Sequence, residues 1–126
     1  VLRFFMLKTH YRTPIDLGIW DWKNPNTPIP NGLVEAAESV QTFHRFFERY
    51  ERLRGESFYS LPARMSERWA PASDLAKGWP YADLAKALPE LWKRFHDYME
   101  DDFNTGGAVG VLYELVSLLN KFADKS

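Results

Sequence analysis

"YMEDDFNTGGAVGVLYELV", residues 98–116, sets Glu100, Asp101, Asp102 and Phe103 before an Asn104-Thr105 pair, two glycines and a regular apolar pattern. Three readings compete: a metal loop, a pair of catalytic carboxylates, or the hinge of a helical hairpin. A calcium loop starting at Asp102 would place Asn104 and Gly107 correctly. It fails at Gly106, where a ligand is needed, and at Tyr113, where the bidentate Glu belongs. A catalytic pair needs two carboxyl groups facing one cleft, yet adjacent helical residues point roughly 100° apart. The hinge remains.

In the hinge reading one helix ends near Asp102 and the next starts at Thr105, its expected N-cap. Acids in a last helical turn oppose the helix dipole, at a cost of about 0.3–1 kcal/mol each when exposed, but favour the N-terminus of the helix that follows. Phe103 is expected to turn inward as a plug between the two helices. Gly106 and Gly107 let the chain start the second helix in close contact with its surroundings.

Outward from the hinge the apolar periodicity is helical throughout. Leu84, Leu88, Leu91, Phe95 and Tyr98 mark a helix over about 81–102, in which Pro89 starts a fresh helix or kinks an existing one. Ala108, Leu112, Leu115, Leu119 and Phe122 form the stripe of the last helix. Ala36, Val40, Phe43, Phe47 and Tyr50 mark a helix over about 32–54, with Gly55 as its stop. A first helix covers about 1–11 and stops before Pro14. Two connections are long: 13–31, with Trp20 and Trp22, and 55–80, with Trp69 and Trp79. Their tryptophans are expected to lie back on the bundle, and a short helix within 62–78 is compatible with the pattern. The expected fold is all-α, an antiparallel up-down-up-down bundle of about four helices with two long connecting loops. That topology brings His10-Tyr11-Arg12 to the pole of the Asp101-Asp102 turn, where Arg12 pairs with Asp102 or, failing that, Asp101.

With 126 residues the chain is read as one domain, 1–126. The net charge of −1 gives no global basic field of the kind that free nucleic-acid binders carry. The absence of Cys excludes disulfides, thiolate zinc and a Cys nucleophile. No apolar run is long enough to span a membrane. "VLRFFML" is too short for a signal peptide and opens in mid-pattern, so the sequence is read as a piece of a longer protein. His44 and His96 are isolated, and no catalytic, cofactor-binding or metal-ligating set is found.

Two segments, "VLRFFMLKTHYRTPIDL" and "MEDDFNTGGAVGVLYELV", resemble the helical domain that follows the catalytic core of cysteinyl-tRNA synthetases, a DALR-type domain. The family pattern reads roughly Leu-Arg-x-x-x-Leu-x-x-His-Tyr-Arg-x-Pro-Leu-Asp, then Met-x-Asp-Asp-Phe-Asn-Thr-Pro-x-Ala. Leu2, Arg3, Leu7, His10, Tyr11, Arg12, Pro14 and Asp16 match the first. Met99, Asp101, Asp102, Phe103, Asn104, Thr105 and Ala108 match the second. Gly106 departs from the family's Pro, 18–31 looks like an insertion, and 55–80 looks longer than usual. "ARMSERW", residues 63–69, shares only Met65-Ser66 with the family's lysine-rich nucleotide loop and stands on the wrong side of His10-Tyr11-Arg12.

The resemblance implies a helical tRNA- or anticodon-binding domain of a class I, ATP-dependent cysteine–tRNA ligase, working in the cytoplasm beside a catalytic domain in the parent chain. It implies tRNA(Cys) as partner, no membrane, and ATP, magnesium and zinc as cofactors of that catalytic domain, with none held here. This segment by itself is expected not to catalyse. Two alternatives stand beside it: the same domain of the related cysteine ligase of mycothiol biosynthesis, and a stand-alone helical interaction module.

Two residue sets carry a functional and a plain reading. Arg45, Arg49 and Arg52 lie within roughly 60° of one another on the second helix, opposite Phe43, Phe47 and Tyr50. Such a stripe can hold tRNA phosphates; as a solvated face laced with Glu38 and Glu48 it needs no ligand. His10, Tyr11 and Arg12 can contact RNA. In the plain reading His10 caps the first helix, Tyr11 packs and Arg12 pairs with an acid, within a structural pole completed by Asp101, Asp102, Phe103, Asn104 and Thr105.

Overall fold

The structure is a computed structural model that describes residues 1–18, 20–62 and 81–125. It is an all-α bundle of α1 (Leu2–Lys8), α2 (Asn31–Arg54), α3 (Ala82–Glu100) and α4 (Thr105–Lys125), with one 3-10 turn at Phe58–Ser60. The expectations for 63–80, including the placing of Trp69 and Trp79 and the short helix, lie outside the described residues.

α4 is the organising element: it touches all three other helices, α1 also touches α2, and α2 and α3 share no contact among the described residues. Cross-contacts fix the directions. Tyr113 lies against Phe43, and Arg49 reaches Asn120 and Asp124, so α2 runs parallel to α4. Arg94 pairs with Glu114 and Tyr81 meets Phe122, so α3 runs antiparallel to α4. Lys8 lies near Gly106 and Phe4 near Tyr113, so α1 is antiparallel as well. The up-down-up-down order therefore holds around a central fourth helix.

Among the described residues the buried ones are small or aliphatic: Leu33 and Ala36 of α2, Leu84 and Ala85 of α3, Ala108, Val111 and Val116 of α4. Around them stand half-buried aromatics. Phe4, Phe43 and Tyr113 meet with centroids 4.7–6.4 Å apart, and the Tyr113 hydroxyl donates to the Ser39 carbonyl at 2.7 Å. Phe58 stacks on Phe47 at 4.4 Å, tying the 3-10 turn to α2. Between α2 and α4 runs an apolar groove of about 530 Å³ lined by Phe43, Tyr50, Leu53, Leu115 and Leu119.

Several boundaries differ from the periodicity. α1 stops at Lys8 rather than near residue 11, because Thr9 is extended (φ −103, ψ 134) and 10–13 close a separate turn through Thr13 N–H to the His10 carbonyl, 2.8 Å. Gly55 ends α2 as expected, in the left-handed region at φ 73. Pro89 neither starts a helix nor ends one; α3 runs through it, and Pro89, having no N–H, gives up the bond to the Ala85 carbonyl. Trp22 does not lie on the bundle but is 73% exposed, with the Lys23 ammonium 5.2 Å over its ring. That loop holds its shape locally instead. Asp16, Asp21 and Asn24 each accept the backbone N–H two residues on, at 2.7–3.0 Å.

The start of α4 is where close approach matters. A Cβ on Gly106 would come within 2.8 Å of the Lys8 carbonyl oxygen, and a Cβ on Gly107 would enter the Tyr98 ring. Gly110, by contrast, faces open space. Opposite outcomes are therefore expected from one chemical change in one helix. Gly110→Ala should stabilise the protein by about 1 kcal/mol through helix propensity. Gly107→Ala should destabilise it by about 1–3 kcal/mol through overpacking. Urea denaturation of the two variants checks both signs.

Candidate functional site

The pole where α1 ends and the α3–α4 turn begins gathers most of the residues singled out in the sequence. Because α1 stops early, His10, Tyr11 and Arg12 sit on a turn and converge where successive helical residues would diverge. Asp102 receives them. The Tyr11 hydroxyl donates to its Oδ1 at 2.6 Å, Arg12 Nε lies 3.2 Å from its Oδ2, and His10 Nε2 lies 3.8 Å from the same oxygen. Arg12 Nε also donates to the Tyr11 hydroxyl at 3.0 Å, and the His10 and Tyr11 rings stack at 4.9 Å. The expected Arg12–Asp102 contact is present. Tyr11 does not pack inward as expected; it stays exposed and serves through its hydroxyl. His10 does not cap α1: its Nδ1 accepts the Arg12 N–H at 3.3 Å.

The turn itself departs from expectation twice. Asp102 and Phe103 both have φ 52, a left-handed conformation that costs non-glycine residues about 1–2 kcal/mol each. This geometry carries Phe103 outward, so it is 65% exposed and is not the plug between α3 and α4. The N-cap moves as well. Asn104 Oδ1 accepts the Gly107 N–H at 3.0 Å, which makes Asn104 the capping residue and Thr105 the first residue of α4. The Asn104 N–H reaches back to the Tyr98 carbonyl at 3.0 Å and closes the hairpin. Asp101 makes no ion pair among the described residues.

The arginine stripe of α2 is divided. Arg45 and Arg52 are exposed, and both border a shallow cleft with Thr42, Glu48 and Asn120. Arg49 is half-buried and turned toward α4, bonded to Asp124 Oδ1 at 2.6 Å and Asn120 Oδ1 at 3.3 Å. The helical wheel set Arg49 with the solvated residues because it could not show which side of α2 the fourth helix takes. The α3–α4 hairpin carries a further pair unmarked in the sequence reading: Arg94 grips Glu114 through two bonds of 2.6 and 2.8 Å. The guanidinium holds the Glu114 carboxyl below the usual carboxylate range. A lowered value means that this pair supports the fold above the ordinary carboxylate pKa and loses that support as pH falls. The only sequence signal for it was opposite charge across a predicted hairpin.

No three acidic or histidine side chains come together as a metal-binding group among the described residues. No helix there is long and apolar enough to cross a membrane. What the pole and the stripe offer is binding chemistry: exposed guanidinium groups, a phenol and an exposed aromatic ring.

Residues 94–126, the end of α3 and α4 with the capped turn between them, match the DALR domain. Along nearly its whole length the chain is similar to cysteine–tRNA ligases. It is 34% identical over 97% of its residues to that of Staphylococcus epidermidis strain ATCC 35984, and 30% identical over 97% to that of Lachnoclostridium phytofermentans. To that of Pelobacter propionicus it is 30% identical over 99%. The chain spans only about a fifth of the length of these relatives, between 20% and 22%. No solved structure matches it.

The clasp at Asp102 has a titration signature. Donation to Asp102 raises the Tyr11 phenol above its ordinary 10.0, while Arg12 acts in the opposite sense more weakly. Because the folded value exceeds the unfolded one, the bond supports the fold at neutral pH and is lost as pH climbs through the alkaline range. Subtracting the ultraviolet titration of Tyr11→Phe from that of the unaltered protein isolates Tyr11, which should ionise above 10.0. With Asp102→Asn the same difference should fall back toward that value.

Proposed function

We propose that this chain is a tRNA-binding helical domain, 1–126, of a cysteine–tRNA ligase. It would orient tRNA(Cys) in the cytoplasm while a catalytic domain of the same enzyme forms the cysteinyl adenylate and transfers it. The observation that carries this reading is similarity to cysteine–tRNA ligases along 97% of the chain, with the end of α3 and α4 matching the DALR domain. The family resemblance assigns ATP, magnesium and zinc to the catalytic portion, and binding and orientation to this domain.

For the tRNA contact we propose the α2 stripe. Arg45 and Arg52 are exposed and meet phosphates directly; Arg49 joins them only by exchanging its bond to Asp124. The pole residues His10, Tyr11, Arg12, Asp101, Asp102, Phe103, Asn104 and Thr105 are assigned a structural role. With two to three phosphates neutralised, log K against log salt should fall with a slope of roughly −1.5 to −3, so binding is weak and shallow in its salt dependence. Filter binding of a tRNA(Cys) transcript between about 50 and 200 mM salt measures it. Arg45→Glu with Arg52→Glu should weaken binding by about tenfold, in line with two exposed charge contacts of under about 1 kcal/mol each. Unchanged affinity returns the stripe to a solvated face. The chain should also show no cysteine-dependent ATP–pyrophosphate exchange of its own; exchange that copurifies at constant specific activity would overturn the accessory role.

A further inference from the structure

The groove between the parallel helices α2 and α4 runs on from the contact of Phe43 with Tyr113 toward the ends of both helices, and Arg49 bridges the two walls to Asn120 and Asp124. Its volume is about 530 Å³ and its walls are aromatic and aliphatic. Along it Leu53, Phe58 and Leu112 are 64%, 36% and 37% exposed, so apolar side chains are left to a solvent that finds few hydrogen-bond partners there. The charged groups on the lining are two arginines, Arg49 and Arg54, and no acid lines it among the described residues. Arg49 is bonded to Asp124. Arg54 pairs with Glu56 at 3.9 Å, both side chains being exposed, an ion pair of little worth that a better anion can displace. Asn120 accepts from Arg49 through Oδ1, which leaves its amide nitrogen as a donor. The groove is therefore apolar along its length and a donor of positive charge toward the end of α2.

We infer that this groove binds a free long-chain carboxylic acid, its acyl chain lying along α2 and α4 and its carboxylate at Arg54 and the Asn120 amide. The dimensions suit such a ligand. From Phe43 to Leu53 the helix rises about 15 Å, the reach of a dodecanoyl chain. The volume is that of an ordinary small-molecule pocket, which pairs apolar walls with a few polar groups that fix orientation. The charge selects the head group: a cationic amphiphile would meet two guanidinium groups, and a neutral one would leave Arg54 unanswered. A nucleic-acid strand would leave the aliphatic walls uncovered. The site goes beyond the tRNA contact, since the exposed Arg45 and Arg52 border the neighbouring cleft instead.

Sodium dodecanoate below its micelle concentration is the probe. Calorimetry with the intact chain should show one saturable site, with the circular dichroism unchanged at saturation. In spectra of the leucine methyl groups, Leu115 and Leu119 should shift, while Leu33 and Leu84, buried away from the groove, should not. Dodecyltrimethylammonium carries the same tail with a cationic head, and butanoate the same head without the tail; each should bind at least about tenfold more weakly. Arg54→Glu and Leu53→Asp should each weaken dodecanoate binding by about tenfold. Both side chains are exposed, so the melting midpoint should stay where it is. Arg45→Glu should leave the affinity unchanged. Absence of a saturable site, equal affinity for the cationic amphiphile, or loss of helicity as dodecanoate is added overturns the inference. So does binding indifferent to Arg54→Glu and Leu53→Asp. A self-association in sedimentation, or an attachment to phosphatidylglycerol vesicles, that Leu53→Asp abolishes with no dodecanoate present gives the groove to a second copy or to a membrane, and overturns it as well.

Discussion

The end of α1 and the Tyr98 ring both come against the start of α4, and they can do so only because Gly106 and Gly107 lack side chains. Gly106 lets the Lys8 carbonyl, at the end of α1, come against the first turn of α4; Gly107 lets the Tyr98 ring approach it closely. The negative end of α1 thereby faces the positive end of α4, a favourable arrangement of helix dipoles. With these approaches made, α4 can stand at the centre and touch every other helix. Glycine in a helix is normally a loss of about 1 kcal/mol, and here the loss is offset by contacts that no other residue permits.

The turn that feeds this junction carries strain of its own. Two successive left-handed residues, one of them a Phe, are unusual. They persist because the surrounding bonds over-determine the loop: Asn104 is bonded through both its N–H and its side chain, and Asp102 is gripped by Tyr11 and Arg12. The contacts to Asp102 are exposed, so each alone contributes little. Their value lies in sharing one carboxylate, which fixes the end of α1 and the hairpin turn together. The acids of the hinge are thus unequal. Asp102 has partners, while Asp101 remains with solvent.

The same unevenness shapes the binding surfaces. An arginine on a helical wheel is defined by its angle, but its availability is defined by what stands opposite. Asp124 and Asn120 claim Arg49 for the bundle, leaving Arg45 and Arg52 as the cations that another molecule can reach. On α1 the converse holds: both sides are apolar, one is covered by Phe43 and Tyr113, and the other faces outward.

Much of this was written in the sequence. Apolar spacing of three and four located α2, α3 and α4 to within a residue or two, Gly55 ended a helix where glycine's left-handed freedom is needed, and the up-down-up-down topology brought Arg12 to Asp102. Those features are local, or follow from chain direction alone, so periodicity and topology determine them. The early end of α1, the outward turn of Phe103, the shift of the cap from Thr105 to Asn104 and the loss of Arg49 to Asp124 were not legible. Each depends on which backbone lies within a few ångströms of a given atom, and that distance exists only once the helices have packed.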